Sequence, residues 1–358
     1  MSGSERAALW ERLRAAALVE GDVPSSKAPQ APWFVRVMLG VAGWIGALFL
    51  LGFVGALFAE LFDSAAASLM LGTAACAVAV FLFRWSRGND FFDQFAFAVS
   101  LAGQALILAG LDEWINIESR YPDEFALISL LMVGVQSILF VLIPEFLHRV
   151  WTAGTAALAV LVALVSWHLP YAPALLLAAL LWIWLREVEH PRQGAWLRPA
   201  GYGITLAAMV AVFVVSVLEK PFWAERWGAW LQVLNLWLAP ALSGVALLWM
   251  VVRLLRREGV PAGSASGRIA LAGAAIFAIA SLWAPGLAPM IAILVMGYAN
   301  GNRLLTGLGI LGLLGYLSYY YYSLEMTLLQ KSALMVGVGV ALLLARLALH
   351  RWWPEEGR

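Results

Sequence analysis

IALAGAAIFAIASLWAPGLAPMIAILVMGYANGN, residues 269–302, contains no Asp, Glu, Lys or Arg, and its reading decides the fold. A helix crossing about 30 Å of hydrocarbon takes about 20 apolar residues at 1.5 Å each. The run is too long for one crossing, and Trp283-Ala284-Pro285-Gly286-Leu287-Ala288-Pro289 interrupts it. Proline ends a helix because it has no N–H to donate and its ring clashes with the preceding turn. Two helices joined by a tight bend follow. Residues 150–185 repeat the arrangement, broken at His168-Leu169-Pro170-Tyr171-Ala172-Pro173.

Outward from these two, further apolar windows cover 37–59, 64–83, 94–111, 125–144, 199–218, 227–252, 304–324 and, with Lys331 inside it, 326–345. With both long windows split, the chain reads as all-α, a polytopic transmembrane helix bundle of about 12 spans. Re-entrant hairpins at 150–185 and 269–302 are the alternative to four full crossings. A transmembrane β-barrel would alternate polar and apolar residues over segments of about ten. Runs such as Ala156-Ala157-Leu158-Ala159-Val160-Leu161-Val162-Ala163 do not alternate.

Composition agrees. Of 358 residues, 63% are hydrophobic and 13% charged. A soluble domain has about half apolar and a quarter charged. Mean hydropathy is +0.83. The 18 tryptophans and 32 glycines suit membrane interfaces and packed helices respectively. A net charge of +1 gives no argument for nucleic acid, and the single Cys76 allows no intrachain disulfide.

Charge placement supplies a direction. With the N-terminus cytoplasmic, alternate connections collect 19 of the 23 basic residues, leaving only Arg120, Lys220, Arg226 and Lys331 on the other face. The inner group includes Arg84 and Arg87, Arg149, Arg186, Arg192 and Arg198, then Arg253, Arg256, Arg257 and Arg268. The positive-inside rule predicts this asymmetry, with both termini cytoplasmic. Residues 1–32 form a cytoplasmic tail, 33–350 the membrane domain and 351–358 a cytoplasmic end. The tail has no signal-peptide h-region. Its Ser2 and Glu5 have capping-box spacing, and Leu9, Trp10, Leu13 and Ala17 share one helical face before a proline-rich linker. That helix docks on a surface or, the better-supported reading for so balanced a charge, lies against its own bundle.

Charge inside the membrane is a functional candidate by default, and this chain has little. The outer acidic residues Glu60, Asp63, Asp112, Glu113, Glu118, Asp123 and Glu124 bind cations or simply follow the charge asymmetry. Gln94, Gln104, Gln136, Gln232 and Asn235 hold helices together or line a path. Glu145 and His148 have metal-site spacing but no second pair to complete the coordination, so no metal or cofactor is expected. The glycines of 40–55 and 307–315 place the first and eleventh spans centrally. The tenth span is short and runs into Gly297-Tyr298-Ala299-Asn300-Gly301-Asn302-Arg303, either a binding site or a plain tight connection. Candidate functional residues here are Gly297, Asn300, Asn302 and Arg303. Tyr319 to Tyr322, followed by Glu325 and Lys331, form an aromatic belt with a snorkelling lysine, or a polar outer vestibule. Tyr320, Tyr321, Glu325 and Lys331 represent it among the candidates, and Gln104 completes the set. The chain has no HExxH, GxSxG, Walker or dinucleotide motif.

Trp33-Phe34-Val35-Arg36, Gly43-Trp44, Ala47 to Phe53, Asp93-Gln94-Phe95-Ala96 and Ser100 to Ala105 resemble the bacterial multi-pass membrane proteins of domain-of-unknown-function family 4401. The GNRLL of Gly301–Leu305 and the YYYxLxxTLLxKS of Tyr320–Ser332 are the most distinctive matches, and the likeness runs from about Leu9 to Leu347. The resemblance implies a bacterial inner-membrane protein whose partner is a small GDYXXLXY-type membrane protein. It implies no reaction and transfers no catalytic residue. The expected role is non-enzymatic, in membrane assembly or envelope maintenance. The alternative is a secondary transporter for a small solute, with its site near the short tenth span.

Overall fold

The computed structural model describes residues 3–16, 21, 33–57, 64–86, 89–115, 122–167, 169, 171–217, 229–323, 329 and 336. Within them the regular structure is helical, and no strand occurs. The helices are α1 (Gly3–Ala15), α2 (Trp33–Leu57), α3 (Ala65–Ser86), α4 (Asp90–Ile115), α5 (Pro122–Leu142) and α6 (Phe146–Ser166). They continue as α7 (Ala172–Glu189), α8 (Gly194–Val217), α9 (Ala229–Arg257), α10 (Ala265–Ala280), α11 (Leu287–Ala299) and α12 (Arg303–Ser323). A 3-10 turn, Pro191–Gln193, precedes α8. Helices α2 to α12 fall in order on the first eleven apolar windows. The twelfth window, 326–345, lies almost wholly outside the described residues, as does the proline-rich linker.

Among the described residues, seven segments are long and apolar enough to cross a bilayer: Ala65–Trp85, Asp90–Ile115, Glu124–Leu142, Phe146–Ser166, Gly194–Phe213, Trp237–Arg257 and Arg303–Ser323. Met38–Phe53, Ala265–Ala280 and Leu287–Ala299 are apolar but shorter. Helix α7 ends in Arg186-Glu187-Val188-Glu189, so its last turn is charged.

Both proline-bearing windows are two helices each. Pro173 and Pro289 sit in the first turns of α7 and α11, where the absent N–H has no intrahelical partner to lose. Pro285 lies in the bend between α10 and α11, where Leu287 N–H donates to the Ala284 carbonyl.

Two cores result. One joins α3, α4 and α5 around Cys76, Phe83, Phe97, Ile107, Leu111 and Leu139, with Trp44 of α2 packed against it. The other joins α6 to α9 with α11 and α12 around Leu180, Trp184, Met250, Met290, Ile293 and Tyr316. Glycine sets how closely the helices approach. A Cβ on Gly72 would stand 2.7 Å from the Gly103 carbonyl oxygen, and one on Gly110 2.9 Å from that of Ala65, so α3 and α4 meet backbone to backbone. Gly154 and Gly203 do the same for α6 and α8. Close van der Waals packing replaces the hydrophobic drive that lipid cannot supply between helices.

Among the described residues the glycine-rich spans are not central, which corrects the sequence expectation. Helix α2 packs on α4 through Gly40, Gly43 and Gly46, while Gly52 and Gly55 face open space and Met38, Phe49 and Phe53 are exposed. Helix α12 uses Gly309, Gly312 and Gly315 against Leu294, Met290 and Phe213, with Leu311 and Leu314 exposed on its other side. Glycine marks one contact face, and a peripheral helix needs such a face as much as a central one. In α1, Trp10 Nε1–H donates to the Gly21 carbonyl at 3.2 Å and Leu9 is exposed. The helix packs closely on no other among the described residues.

Candidate functional site

The turn after α11 is built from local rules. Gly301 has φ +62°, a left-handed conformation glycine adopts without Cβ strain. Asn302 N–H reaches back to the Gly297 carbonyl at 2.9 Å and Gly301 N–H to that of Tyr298 at 3.0 Å, the pair of bonds that closes a helix on a left-handed residue. Asn302 then begins the next helix, because its Oδ1 accepts from Leu305 N–H at 3.1 Å. A Cβ on Gly297 would press on the Leu305–Thr306 backbone, which explains that glycine.

Tertiary contacts use up the remaining polarity. Asn300 Nδ2 donates to the Trp184 carbonyl at 3.0 Å, and its Oδ1 accepts from Arg257 Nη1 at 2.8 Å. Arg257 Nη2 donates to the Ala299 carbonyl at 2.6 Å, placing a cation on the C-terminal end of α11. Tyr202 Oη donates to Asn302 Oδ1 at 2.9 Å. The turn therefore fastens α7, α8 and α9 to the α11–α12 pair. Arg303 is exposed with no partner among the described residues.

At the other end of α12, Tyr316 is buried against Gly286 and stacks on Tyr320, whose hydroxyl donates to the Trp283 carbonyl at 3.4 Å. These tyrosines hold the α10–α11 bend. Tyr321 meets Tyr322 edge to face, with centroids 5.4 Å apart. Glu325 and Lys331 lie outside the described residues.

Gln104 belongs to a different cluster, inside α4, α5 and α6. Its Nε2 donates to Ser100 Oγ at 3.0 Å, and its Oε1 accepts from Gln136 Nε2 at 2.9 Å and Trp151 Nε1 at 3.0 Å. Ser100 Oγ lies 2.9 Å from His148 Nε2. His148 is 0% exposed, with Phe83 and Phe97 edge-on at 5.4 and 5.9 Å. Two buried atoms of this network, Gln136 Oε1 and His148 Nδ1, have no partner among the described residues. Glu145 and His148 do not form a metal pair. Glu145 Oε2 accepts from His148 N–H at 2.6 Å and caps α6, while the imidazole turns into the core. Gln94 holds helices together too, accepting from Trp44 Nε1 at 3.1 Å.

Proline explains the neighbouring arginine. Pro144 and Pro199 cannot donate to the carbonyls four residues back, those of Phe140 and Ala195. Arg149 Nε donates to the Phe140 carbonyl and Nη1 to the Ala195 carbonyl, both at 3.1 Å. One guanidinium replaces two missing helical bonds and ties α5 to α8.

Sequence reasoning missed Ser100, Trp184 and Tyr202, and it reads Arg257 only as inside-positive charge. The prolines at 144 and 199 were a readable signal that two carbonyls needed an outside donor.

No protein of curated function and no solved structure matches the chain. The family model for the domain of unknown function (DUF4401) matches residues 32–352, nearly the whole chain, and the chain belongs to that family.

Proposed function

We propose that the chain is an integral protein of the bacterial inner membrane, crossing it about twelve times with both termini cytoplasmic. It acts without chemistry of its own, in membrane assembly or envelope maintenance, beside a small GDYXXLXY-type membrane protein. One observation carries the choice of role. The amides that would line a substrate path, Asn300, Asn302, Gln94 and Gln104, each bond to another helix. They act as fasteners, which suits a scaffold better than a conduit. The topology rests on the 19-to-4 division of basic residues and on helices that break where the prolines require.

A secondary transporter for a small solute is the second reading. Helix α11 favours it: 13 residues reach about 20 Å, short of a hydrocarbon core of about 30 Å. Interrupted short helices line transporter sites. Mild-detergent purification separates the two. A stoichiometric small membrane partner supports the scaffold, whereas solute uptake by liposomes holding the chain alone rejects it. Reporter fusions at Asn116, Gly194 and Gly263 test the span count, and only the first should report outside.

A further inference from the structure

Arg149 is 6% exposed and permanently cationic, yet no carboxylate lies within 4 Å of it among the described residues. The nearby acids are committed elsewhere. Glu145 caps α6, Glu187 pairs with Arg198 at 2.6 Å, and Glu189 with Arg253 at 3.4 Å. Arg149 spends Nε and Nη1 on two neutral carbonyls, and its guanidinium carbon lies 3.9 Å from the Trp196 ring centroid. Carbonyls and an aromatic face stabilise the cation without neutralising it, and Nη2 has no partner among the described residues. Burying a charge without a counter-charge is costly, so a buried guanidinium at a membrane boundary calls for an anion.

The surroundings specify which anion. Trp196 is 43% exposed, an amphipathic ring at the start of α8, and Phe146 and Leu147 are exposed apolar residues at the start of α6. Arg192, in the 3-10 turn before α8 and three residues ahead of the Ala195 carbonyl that Arg149 holds, is an exposed cation with no partner among the described residues. A ligand reaching Arg149 meets the Trp196 indole that stacks on it and the exposed apolar residues that open α6. That is the profile of a phospholipid, phosphate at the boundary and acyl chains alongside. We propose that Arg149, with Trp196 and Arg192, holds the phosphodiester headgroup of an anionic phospholipid of the inner leaflet. Guanidinium suits this task because its fork can bond carbonyls and a phosphate oxygen at once. The leaflet assignment rests on the orientation proposed above. Binding itself does not, since a nanodisc presents the same lipid on both faces.

The test uses the full chain in nanodiscs and native mass spectrometry after release into detergent. Phosphatidylglycerol should be retained over phosphatidylcholine. The exposed-site variant Arg192→Ala should lower that retention about fivefold, the effect of one basic residue near a membrane surface. Arg149→Lys, which keeps the charge but loses the fork, should lower it about tenfold. If Arg149→Lys does not fold, Arg192→Ala and the wild type decide. Equal retention of the two lipids by the wild type, or unchanged selectivity in Arg192→Ala, overturns the proposal. Thermal stabilisation by inorganic phosphate equal to that by phosphatidylglycerol overturns the lipid assignment.

Discussion

The α11–α12 turn and the α4–α6 network are both polar clusters in an apolar molecule, but they are finished to different degrees. In the turn, both Asn300 groups and Asn302 Oδ1 are bonded, and an arginine covers the helix end. In the network, Gln104 makes three bonds while Gln136 Oε1 and His148 Nδ1 have none among the described residues. Native proteins leave few buried polar groups unpaired, and each exception calls for a physical reason. The difference teaches that polar content does not identify a site, because a saturated cluster has nothing left to offer a ligand. The network keeps fully buried unbonded atoms, one acceptor at Gln136 and one ring nitrogen at His148.

The contrast can be broken most forcefully at its hub. Gln104→Leu strips partners from Ser100, Gln136 and Trp151 at once, and losing two interhelical bonds and one within α4 should cost about 3 kcal/mol. Unfolding in detergent measures it, and a cost under about 1 kcal/mol would mean the network does not hold α4, α5 and α6 together. Asn302→Ala removes both the α12 cap and the Tyr202 acceptor, for about 2 kcal/mol in the same assay. A neutral result would show that the turn is not fastened as described. Gly301→Ala forces a Cβ into the left-handed region and should cost about 1 kcal/mol. Gln136→Met removes an amide with an unbonded oxygen along with its single bond to Gln104, so the two changes nearly cancel, within about 0.5 kcal/mol. A large loss there would reveal a partner on Gln136 Oε1 and erase the contrast.

Part of this was legible beforehand. Gly301-Asn302 reads as a helix stop followed by a helix start, because a left-handed glycine and a capping amide are local devices. The alternative of a plain tight connection was therefore open from the residues alone. The tertiary bonds from Trp184, Tyr202 and Arg257 were not legible. Trp184 is 116 residues from Asn300 and Tyr202 is 100 from Asn302, and no local spacing encodes such a meeting. Glycine content misplaced α2 because composition counts small residues without saying which are covered. Gly43 meets the Phe91 backbone while Gly52 meets nothing.

By itself the sequence determined that the chain is helical and rich in apolar segments, and, to within about five residues, where eleven of its helices lie. Hydropathy runs, prolines and glycines act on the nearest turn of backbone, and a helix satisfies its own hydrogen bonds wherever it lies. Only the tertiary structure decided which helices are peripheral, which amides are spent, and that Arg149 repairs the carbonyls left by Pro144 and Pro199. Those outcomes depend on which faces meet. In lipid that choice is made by close packing and by pairing of a few polar groups, and neither leaves a period in the sequence.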